Sequence, residues 1–282
     1  MTPLALEAAG IDVDACGVRL RVVREGAGTP VVALHGFTGA AESLAGVAER
    51  LRERHTVVRV DLVGHGASEA PRALAPYAMK ACAAQLDAVC AALGIGAAHW
   101  LGYSMGGRAA LALAAFHPAR VRSLLLIGAS AGIADAAESA ARVRDDEALA
   151  DAIERDGVPA FVERWMALPL FASQARLGPA ALAHERAQRL RNRAHGLANS
   201  LRGMGAGAQP PLHDALARLA APACFVAGAE DAKFRALAEQ LAAIAPRGEA
   251  RGIANAGHAA HLESPDAFAA LALGFFARAE NP

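Results

Sequence analysis

The stretch Gly102-Tyr103-Ser104-Met105-Gly106-Gly107 is the most informative part of this 282-residue sequence. It contains the pattern Gly-x-Ser-x-Gly between an apolar run at residues 98–101 and a helical pattern at 108–116. A serine in that context lies on a sharp turn from strand to helix, with its hydroxyl exposed at the carboxyl end of a sheet. The pattern therefore predicts that Ser104 is a catalytic serine. A glycine turn that only packs a helix against a strand is the alternative.

Short apolar runs and helical patterns alternate on both sides of this stretch. Strands are predicted at residues 18–23, 31–34, 56–60, 98–101 and 121–127, and helices at 45–54, 79–93 and 108–116. The pattern resumes late in the chain, with strands at 223–226 and 252–254 and helices at 234–244 and 268–279. Strands that are apolar throughout and alternate with helices are typical of a mostly parallel sheet covered on both faces. The predicted fold class is α/β.

A long segment without predicted strands interrupts this alternation. From residue 135 to 214 the sequence is helical and polar. We therefore expect residues 1–134 and 215–282 to form the α/β core and residues 135–214 to form an inserted helical lid. An insertion of that length commonly covers a site and contributes to substrate choice.

A catalytic serine needs a base, and the base needs an acid that orients it. After a serine on a strand-to-helix turn, the acid and then the histidine follow along the chain. Asp231 follows the strand predicted at 223–226, and His258 follows the last predicted strand. The spacing of Asp231 from this strand favours it, with the neighbouring Glu230 as the alternative acid. His261 is the alternative base.

Stabilising the negative charge that develops in such a reaction takes two converging N–H groups. The amide of Met105, directly after Ser104, is one candidate. The other is the amide of Phe37, in the loop Leu34-His35-Gly36-Phe37-Thr38-Gly39. This loop would also fit a turn that only ends a strand. A second glycine-rich loop at 61–68 lacks the lysine and the spacing of nucleotide-binding loops, so we expect it to be architectural.

The composition excludes several classes of function. The 28 Lys and Arg residues balance 28 Asp and Glu residues, which argues against a general nucleic-acid or membrane-surface binder. Only Lys80 and Lys233 are lysines. The many arginines fit either the codon usage of a GC-rich genome or sites that bind carboxylates through the guanidinium fork. The four cysteines form no metal-binding pattern, so no metal is expected. The N-terminus lacks the features of a signal peptide and no apolar run could span a bilayer, which predicts a cytoplasmic protein.

The motifs together resemble those of the α/β-hydrolase superfamily. They are HGF at 35–37, DLVGHGAS at 61–68, GYSMGG at 102–107, GAED at 228–231 and GH at 257–258. The resemblance covers nearly the whole chain. It implies an α/β-hydrolase fold, with a mostly parallel central sheet flanked by helices and a triad of Ser104, Asp231 and His258.

Less general pieces resemble one family within that superfamily, the 2-succinyl-6-hydroxy-2,4-cyclohexadiene-1-carboxylate synthases of menaquinone biosynthesis. These pieces are GYSMGGR (102–108), WMALPLF (165–171), LRN (190–192), GLANSLRGMGAGAQ (196–209) and EDAKF (230–234). The resemblance implies a lyase that removes pyruvate from a succinyl-bearing enolpyruvyl cyclohexene carboxylate. Ser104 would act as a base, without a metal or an organic cofactor. The residues that the resemblance implies for binding the small anionic carboxylate substrate are Arg108, Arg142 and Arg191, and those that would line the pocket are Tyr103, Trp165 and Phe171.

Two other functions fit the same motifs. A carboxylesterase or a carbon–carbon bond hydrolase would use the same three catalytic residues and would have little need of arginines in the lid. A non-enzymatic binding module of the same fold would have no need of serine, aspartate and histidine in this order.

Overall fold

The computed structural model describes residues 10–281, in which eight strands form one sheet. The strands are β1 (Gly10–Ala15), β2 (Val18–Glu25), β3 (Thr29–Leu34), β4 (His55–Val60), β5 (Ala98–Tyr103), β6 (Val121–Ile127), β7 (Ala223–Gly228) and β8 (Gly248–Ile253). Their spatial order is β1-β2-β4-β3-β5-β6-β7-β8. β2 runs antiparallel to its neighbours, and every other neighbouring pair is parallel. The predicted α/β fold with a mostly parallel sheet is confirmed.

Helices connect these strands. They are α1 (Ala45–Leu51), α2 (Met79–Ala92), α3 (Met105–Phe116), α4 (Ala136–Met166), α5 (Pro179–Leu190), α6 (Ala194–Met204), α7 (His213–Ala217), α8 (Ala232–Ile244), α9 (Ala260–Glu263) and α10 (Pro265–Glu280). Short 3-10 helices lie at Ala41–Leu44, Ala75–Tyr77, Pro118–Arg120 and Pro169–Leu177.

The sheet has a buried apolar layer on each face, because successive side chains of a strand point to opposite sides. In β3, Val32 belongs to the layer shared with α2, α3 and α8, whereas Val31 belongs to the layer shared with α1 and α10. Val58 and Val57 of β4 divide in the same way. Because helices cover both faces, the accessible parts of the sheet are the ends of its strands, and Ser104 lies at the carboxyl end of β5.

The segment between β6 and β7 contains α4, α5 and α6 and has an apolar core of its own, which includes Ile153, Phe161 and Leu201. α4 is broken at Gly157, whose φ of 81° lies outside the helical region. Arg202 on α6 binds three carboxylates along α4, those of Glu147, Asp151 and Glu154. The predicted lack of strands at 135–214 is confirmed, and the boundaries of the lid stay a prediction.

Some elements differ from the sequence prediction. β8 spans Gly248–Ile253 instead of 252–254, because it is a polar edge strand in which Ile253 alone is fully buried. The edge strand β1 has no counterpart among the predicted strands. The signal-peptide expectation concerns the N-terminus, of which residues 1–9 lie outside the described residues. Within residues 10–281, no helix combines the length and the apolar character that crossing a membrane requires.

Candidate active site

Ser104 lies at the turn between β5 and α3. Its φ of 51° and ψ of −110° are outside the regions that residues with a side chain normally adopt. A Cβ at Gly102 would come within 2.5 Å of the Gly106 carbonyl oxygen, and a Cβ at Gly106 within 2.3 Å of the Leu34 carbonyl oxygen. Both positions therefore require glycine, and the sharp turn at Ser104 depends on them.

A chain of hydrogen bonds joins Ser104, His258 and Asp231. Ser104 Oγ lies 3.4 Å from His258 Nε2, and His258 Nδ1 lies 2.8 Å from Asp231 Oδ2. Asp231 also caps α8, where its Oδ1 accepts a hydrogen bond from the Phe234 amide over 3.2 Å. Burial raises the pKa of Asp231, but the hydrogen bonds from His258 and Phe234 outweigh burial, and the net pKa is lowered. The ionised carboxylate can therefore hold Nδ1–H of His258 and leave Nε2 free to accept a proton.

The alternative acid and base point elsewhere. Glu230 is exposed and accepts a hydrogen bond from Arg176 over 3.0 Å. The ring of His261 packs 4.5 Å from that of Tyr103, and neither ring nitrogen has a hydrogen-bond partner within residues 10–281. Burial lowers the pKa of His261 to about 3, so this ring is neutral. The geometry favours Asp231 and His258.

Glu263 is a buried carboxylate that fixes the loop around His258. It accepts hydrogen bonds from the amides on both sides of the histidine, those of Gly257 (2.9 Å) and Ala259 (3.2 Å). Arg176, on the 3-10 helix Pro169–Leu177, lies 3.6 Å from Glu263 and also donates to the Asn255 carbonyl over 3.3 Å. The lid is thereby tied to the loop that carries His258. Sequence reasoning missed Glu263, because its position after His258 is the only signal.

The loop of Phe37 lies beside Ser104, since a Cβ at Gly36 would be 3.5 Å from the serine Cβ. The N–H of Phe37 donates to no acceptor within residues 10–281. Met105 is the first residue of α3, so its N–H has no partner inside the helix. The two amides predicted to stabilise negative charge are thus both free of intrachain backbone bonds near the serine.

Asn192 of the lid holds the Phe37 loop in place. Its Nδ2 donates to the carbonyl of Thr38 over 2.7 Å and to that of Arg189 over 3.1 Å, and its Oδ1 accepts from the Gly66 amide over 3.0 Å. Thr38 has a φ of 70°, which is rare for a β-branched residue. Asn192 therefore connects the lid with two loops of the sheet domain.

His35 and Asp61 have structural roles in these loops. His35 Nδ1 donates to its neighbouring carbonyl, that of Gly36, over 2.8 Å, and Nε2 accepts from the Leu62 amide over 3.0 Å. Burial lowers the pKa of His35, so the ring is neutral. Asp61 accepts hydrogen bonds from two backbone amides at 2.5 and 2.7 Å. The loop at 61–68 is architectural in this structure.

Arg108 and Arg142 lie on different helices near each other. On α3, Arg108 Nη1 donates to the Met204 carbonyl over 2.6 Å and to Gln209 Oε1 over 3.0 Å. On α4, Arg142 pairs with Asp146 over 2.8 Å. Burial and the nearby charge of Arg142 lower the pKa of Arg108 to about 10, so it stays protonated at neutral pH. Arg108 is a desolvated positive charge beneath the lid.

The structure places Arg191 apart from this group. Arg191 follows α5, and its side chain is 57% exposed and paired with Glu42. Arg189, two residues earlier, is buried instead, with a side chain that is 9% exposed and paired with Glu185 over 2.6 Å. Sequence reasoning did not single out Arg189, because α5 is rich in polar residues and its inward face is not evident.

Aromatic rings connect the Phe37 loop with His258. Trp165 lies 5.3 Å from Phe37 and 5.8 Å from Phe171 between ring centroids. Phe171 in turn lies 6.3 Å from His258, and Tyr103 lies 5.4 Å from His258. A cavity of about 230 Å³ opens beside His258 and Asp231, under the 3-10 helix of the lid. Within residues 10–281 no three His, Cys, Asp or Glu side chains are grouped so as to hold a metal ion.

The fold and the site define the class of protein. The alpha/beta hydrolase fold family matches residues 29–265, and the chain is an enzyme of that fold.

Its relatives give the particular family. A Bacillus subtilis protein provisionally named 2-succinyl-6-hydroxy-2,4-cyclohexadiene-1-carboxylate synthase is 37% identical over 92% of this chain and 95% of its own length. The synthase of that name from Serratia proteamaculans is 32% identical over 84% of this chain and 89% of its own length. The solved structure of MenH from S. aureus is 30% identical and superposes with a TM-score of 0.85 over 93% of this chain and 98% of that one. The chain belongs to the family of 2-succinyl-6-hydroxy-2,4-cyclohexadiene-1-carboxylate synthases.

Proposed function

We propose that the protein is a lyase that eliminates pyruvate from a succinyl-bearing enolpyruvyl cyclohexene carboxylate, in menaquinone biosynthesis. The observation that carries the proposal is the hydrogen-bonded chain Ser104–His258–Asp231 beneath a lid that presents buried cationic and N–H donor groups. The named synthases at 32–37% identity support the same reaction.

In this proposal Ser104 is a base and forms no acyl-enzyme. Its Oγ removes a proton from the substrate carbon next to a carboxyl group while its own proton passes to His258 Nε2, 3.4 Å away. Asp231 stabilises the resulting imidazolium through Nδ1–H. The electron pair left on carbon forms a ring double bond, the ring C–O bond breaks, and the enolpyruvyl group leaves as the enolate of pyruvate. Ser104 then carries the proton taken from the substrate, and the imidazolium of His258 gives its extra proton to the enolate, which becomes pyruvate.

Negative charge that develops on the substrate carboxyl group during proton removal needs donors that are already in position. The amides of Phe37 and Met105 would supply them, since neither is used by the backbone around Ser104. Trp165, Phe171 and Tyr103 would enclose the ring of the substrate.

The lid contains buried N–H groups without an acceptor in the protein. They are Trp165 Nε1, Gln174 Nε2, Gln188 Nε2, Arg189 Nε and Gln209 Nε2, for which residues 10–281 provide no hydrogen-bond partner. A buried polar group that lacks a partner costs about 1–3 kcal/mol. A ligand rich in carboxylate oxygens can satisfy such donors, whereas an apolar ester cannot. This surplus of donors supports an anionic substrate.

The test is release of pyruvate by the purified protein from the enolpyruvyl substrate. Ser104→Ala should lose most of the activity and stay folded. Ser264→Ala is the matched control, because that hydroxyl bonds only to the Ala254 carbonyl among the described residues and makes no hydrogen bond to Ser104, His258 or Asp231. Absence of pyruvate release by the folded wild-type protein would refute the proposal.

A carboxylesterase is the second candidate. A thermophilic esterase from Thermogutta terrifontis, solved with malate bound, superposes with a TM-score of 0.87 at 25% identity over 96% of this chain and 99% of that one. An esterase would hydrolyse p-nitrophenyl acetate efficiently and would not need Arg108. Arg108→Met distinguishes the two functions: a large loss with the anionic substrate and a small loss with the neutral ester support the lyase.

A further inference from the structure

The orientation of α5 determines which of its arginines faces the substrate. Arg189 and Arg191 are two residues apart, about 200° around a helix, and so point in opposite directions. Arg191 is exposed and paired with Glu42, whereas the Arg189 side chain is 91% buried. We infer that Arg189 is a specificity-determining residue that binds a substrate carboxylate from the lid, and that Arg191 is a surface residue. This inference rests on the proposed function, because it assigns a binding residue to the anionic substrate of that reaction.

The guanidinium of Arg189 has one edge without partners. Its hydrogen bonds within residues 10–281 come from Nη1, which donates to the Glu185 carboxylate over 2.6 Å and to the Glu185 carbonyl over 2.9 Å. Nε is buried and has no acceptor there. The free edge formed by Nε–H and Nη2–H is the fork that binds a carboxylate through two parallel hydrogen bonds.

The neighbours of Arg189 place it against the candidate active site. Gln188 Oε1 accepts a hydrogen bond from Ser43 Oγ, and Asn192 Nδ2 joins the Arg189 carbonyl to that of Thr38 in the Phe37 loop. Burial raises the pKa of the Tyr103 phenol, and the charge of Arg189 opposes that rise. The guanidinium therefore acts on the residue directly before Ser104. Gln188 Nε2, also buried and without a partner within residues 10–281, adds a second donor at this position.

Glu185 compensates the charge of Arg189 when no substrate is bound. A buried arginine without an anion is costly, and the Glu185 side chain, 7% exposed, provides the counter-charge. A carboxylate on the free edge of Arg189 shares this guanidinium with Glu185, so the two anions repel each other. Glu185 therefore weakens the binding that Arg189 provides, and variants at the two positions should change affinity in opposite directions.

The experiment measures binding of succinate, the smallest matching dicarboxylate, by titration calorimetry, with neutral succinamide as the control ligand. Arg189→Gln should weaken succinate binding about 10- to 100-fold, the loss expected for hydrogen bonds to a charged group. Arg191→Gln, the matched control two residues away, should change affinity less than threefold. Glu185→Gln should tighten succinate binding at least threefold. The double variant Arg189→Gln/Glu185→Gln leaves no buried unpaired charge and tests the affinity loss in a stable protein.

Three results would overturn the inference. They are wild-type affinity for succinate in the double variant, an equal or larger loss in Arg191→Gln, and no detectable succinate binding by the wild type. Succinate binding requires no turnover. Failure of pyruvate release with Arg189-dependent succinate binding would therefore refute the reaction alone, whereas pyruvate release with succinate binding independent of Arg189 would refute this inference alone.

Discussion

Replacing Asn192 by alanine should slow catalysis more than it destabilises the protein. The side chain makes three hydrogen bonds, to Thr38, Gly66 and Arg189, and none of them survives truncation. The Thr38 carbonyl is fully buried and would keep no partner from the lid. Because Thr38 follows Phe37 directly, its displacement moves the amide that we expect to stabilise negative charge.

The size of the effect follows from these contacts. The buried Thr38 carbonyl and the partly buried Gly66 amide lose their partner, which costs about 2–3 kcal/mol of unfolding free energy. Removing a donor of this kind altogether lowers kcat about 10²–10³-fold. The substitution displaces the Phe37 amide and does not delete it, so we expect a fall in kcat of about 10- to 100-fold, with a smaller change in KM.

The assay pairs pyruvate release with urea denaturation, and Asn199→Ala is the control. Asn199 is also a buried lid asparagine, with hydrogen bonds to the carbonyls of Pro71 and Arg72, away from the Phe37 loop. We expect a comparable loss of stability in both variants and a large loss of kcat in Asn192→Ala alone. Equal kcat values for the two variants would refute the reasoning.

Three further predictions concern stability. Gly106→Ala should cost more than about 4 kcal/mol of unfolding free energy, because its Cβ would meet a backbone carbonyl at 2.3 Å, whereas Gly274→Ala on an open helix face should be neutral or stabilising; urea denaturation checks both. Arg202→Met should lower the unfolding free energy by about 1–2 kcal/mol, because it leaves three carboxylates on α4 without their partner. Added salt should reverse part of this loss by screening the repulsion between these carboxylates, since the Debye length is about 3 Å in 1 M salt. An unchanged loss in 1 M salt would contradict this prediction. Burial lowers the pKa of His65 and of His261 to about 3, so between that pH and about 6.5 the unfolded chain binds more protons than the native protein. The unfolding free energy at pH 5.5 should therefore be lower than at neutral pH or above by about 1.4 kcal/mol per histidine. Replacing either histidine by asparagine should flatten this pH dependence.

Most of the strands and the sharp turn at Ser104 could be predicted because each has a local sequence pattern. β3 and β6 are apolar over most of their length, which is typical of strands in a sheet covered on both faces. The bounds of β8 were predicted wrongly, since a polar edge strand has no apolar pattern that marks where it begins. The order of Ser104, Asp231 and His258 along the chain, together with their positions after predicted strands, favoured the residues that the structure joins by hydrogen bonds over Glu230 and His261.

The lid residues that face the site could not be predicted from spacing. α5 carries polar residues on several sides, so the face that it turns toward the sheet domain depends on which of these residues find partners there. Gln188 finds Ser43 and Asn192 finds Thr38, and these contacts turn Arg189 inward and Arg191 outward. Such long-range pairs leave no periodic signal in a single sequence.

The anchoring of the lid by Asn192 and Arg176 has a consequence for how this protein can be redesigned. Asn192 holds the loops of Thr38 and Gly66. Arg176 binds Glu230 in the loop of Asp231 and Asn255 in the loop of His258. A lid taken from a superfamily member that lacks these two side chains would not make these hydrogen bonds. The catalytic loops that Asn192 and Arg176 hold in this protein would then lose their support. We expect productive chimaeras only where the lid and its receiving loops are exchanged as one unit, so substrate choice and catalytic geometry are inherited together.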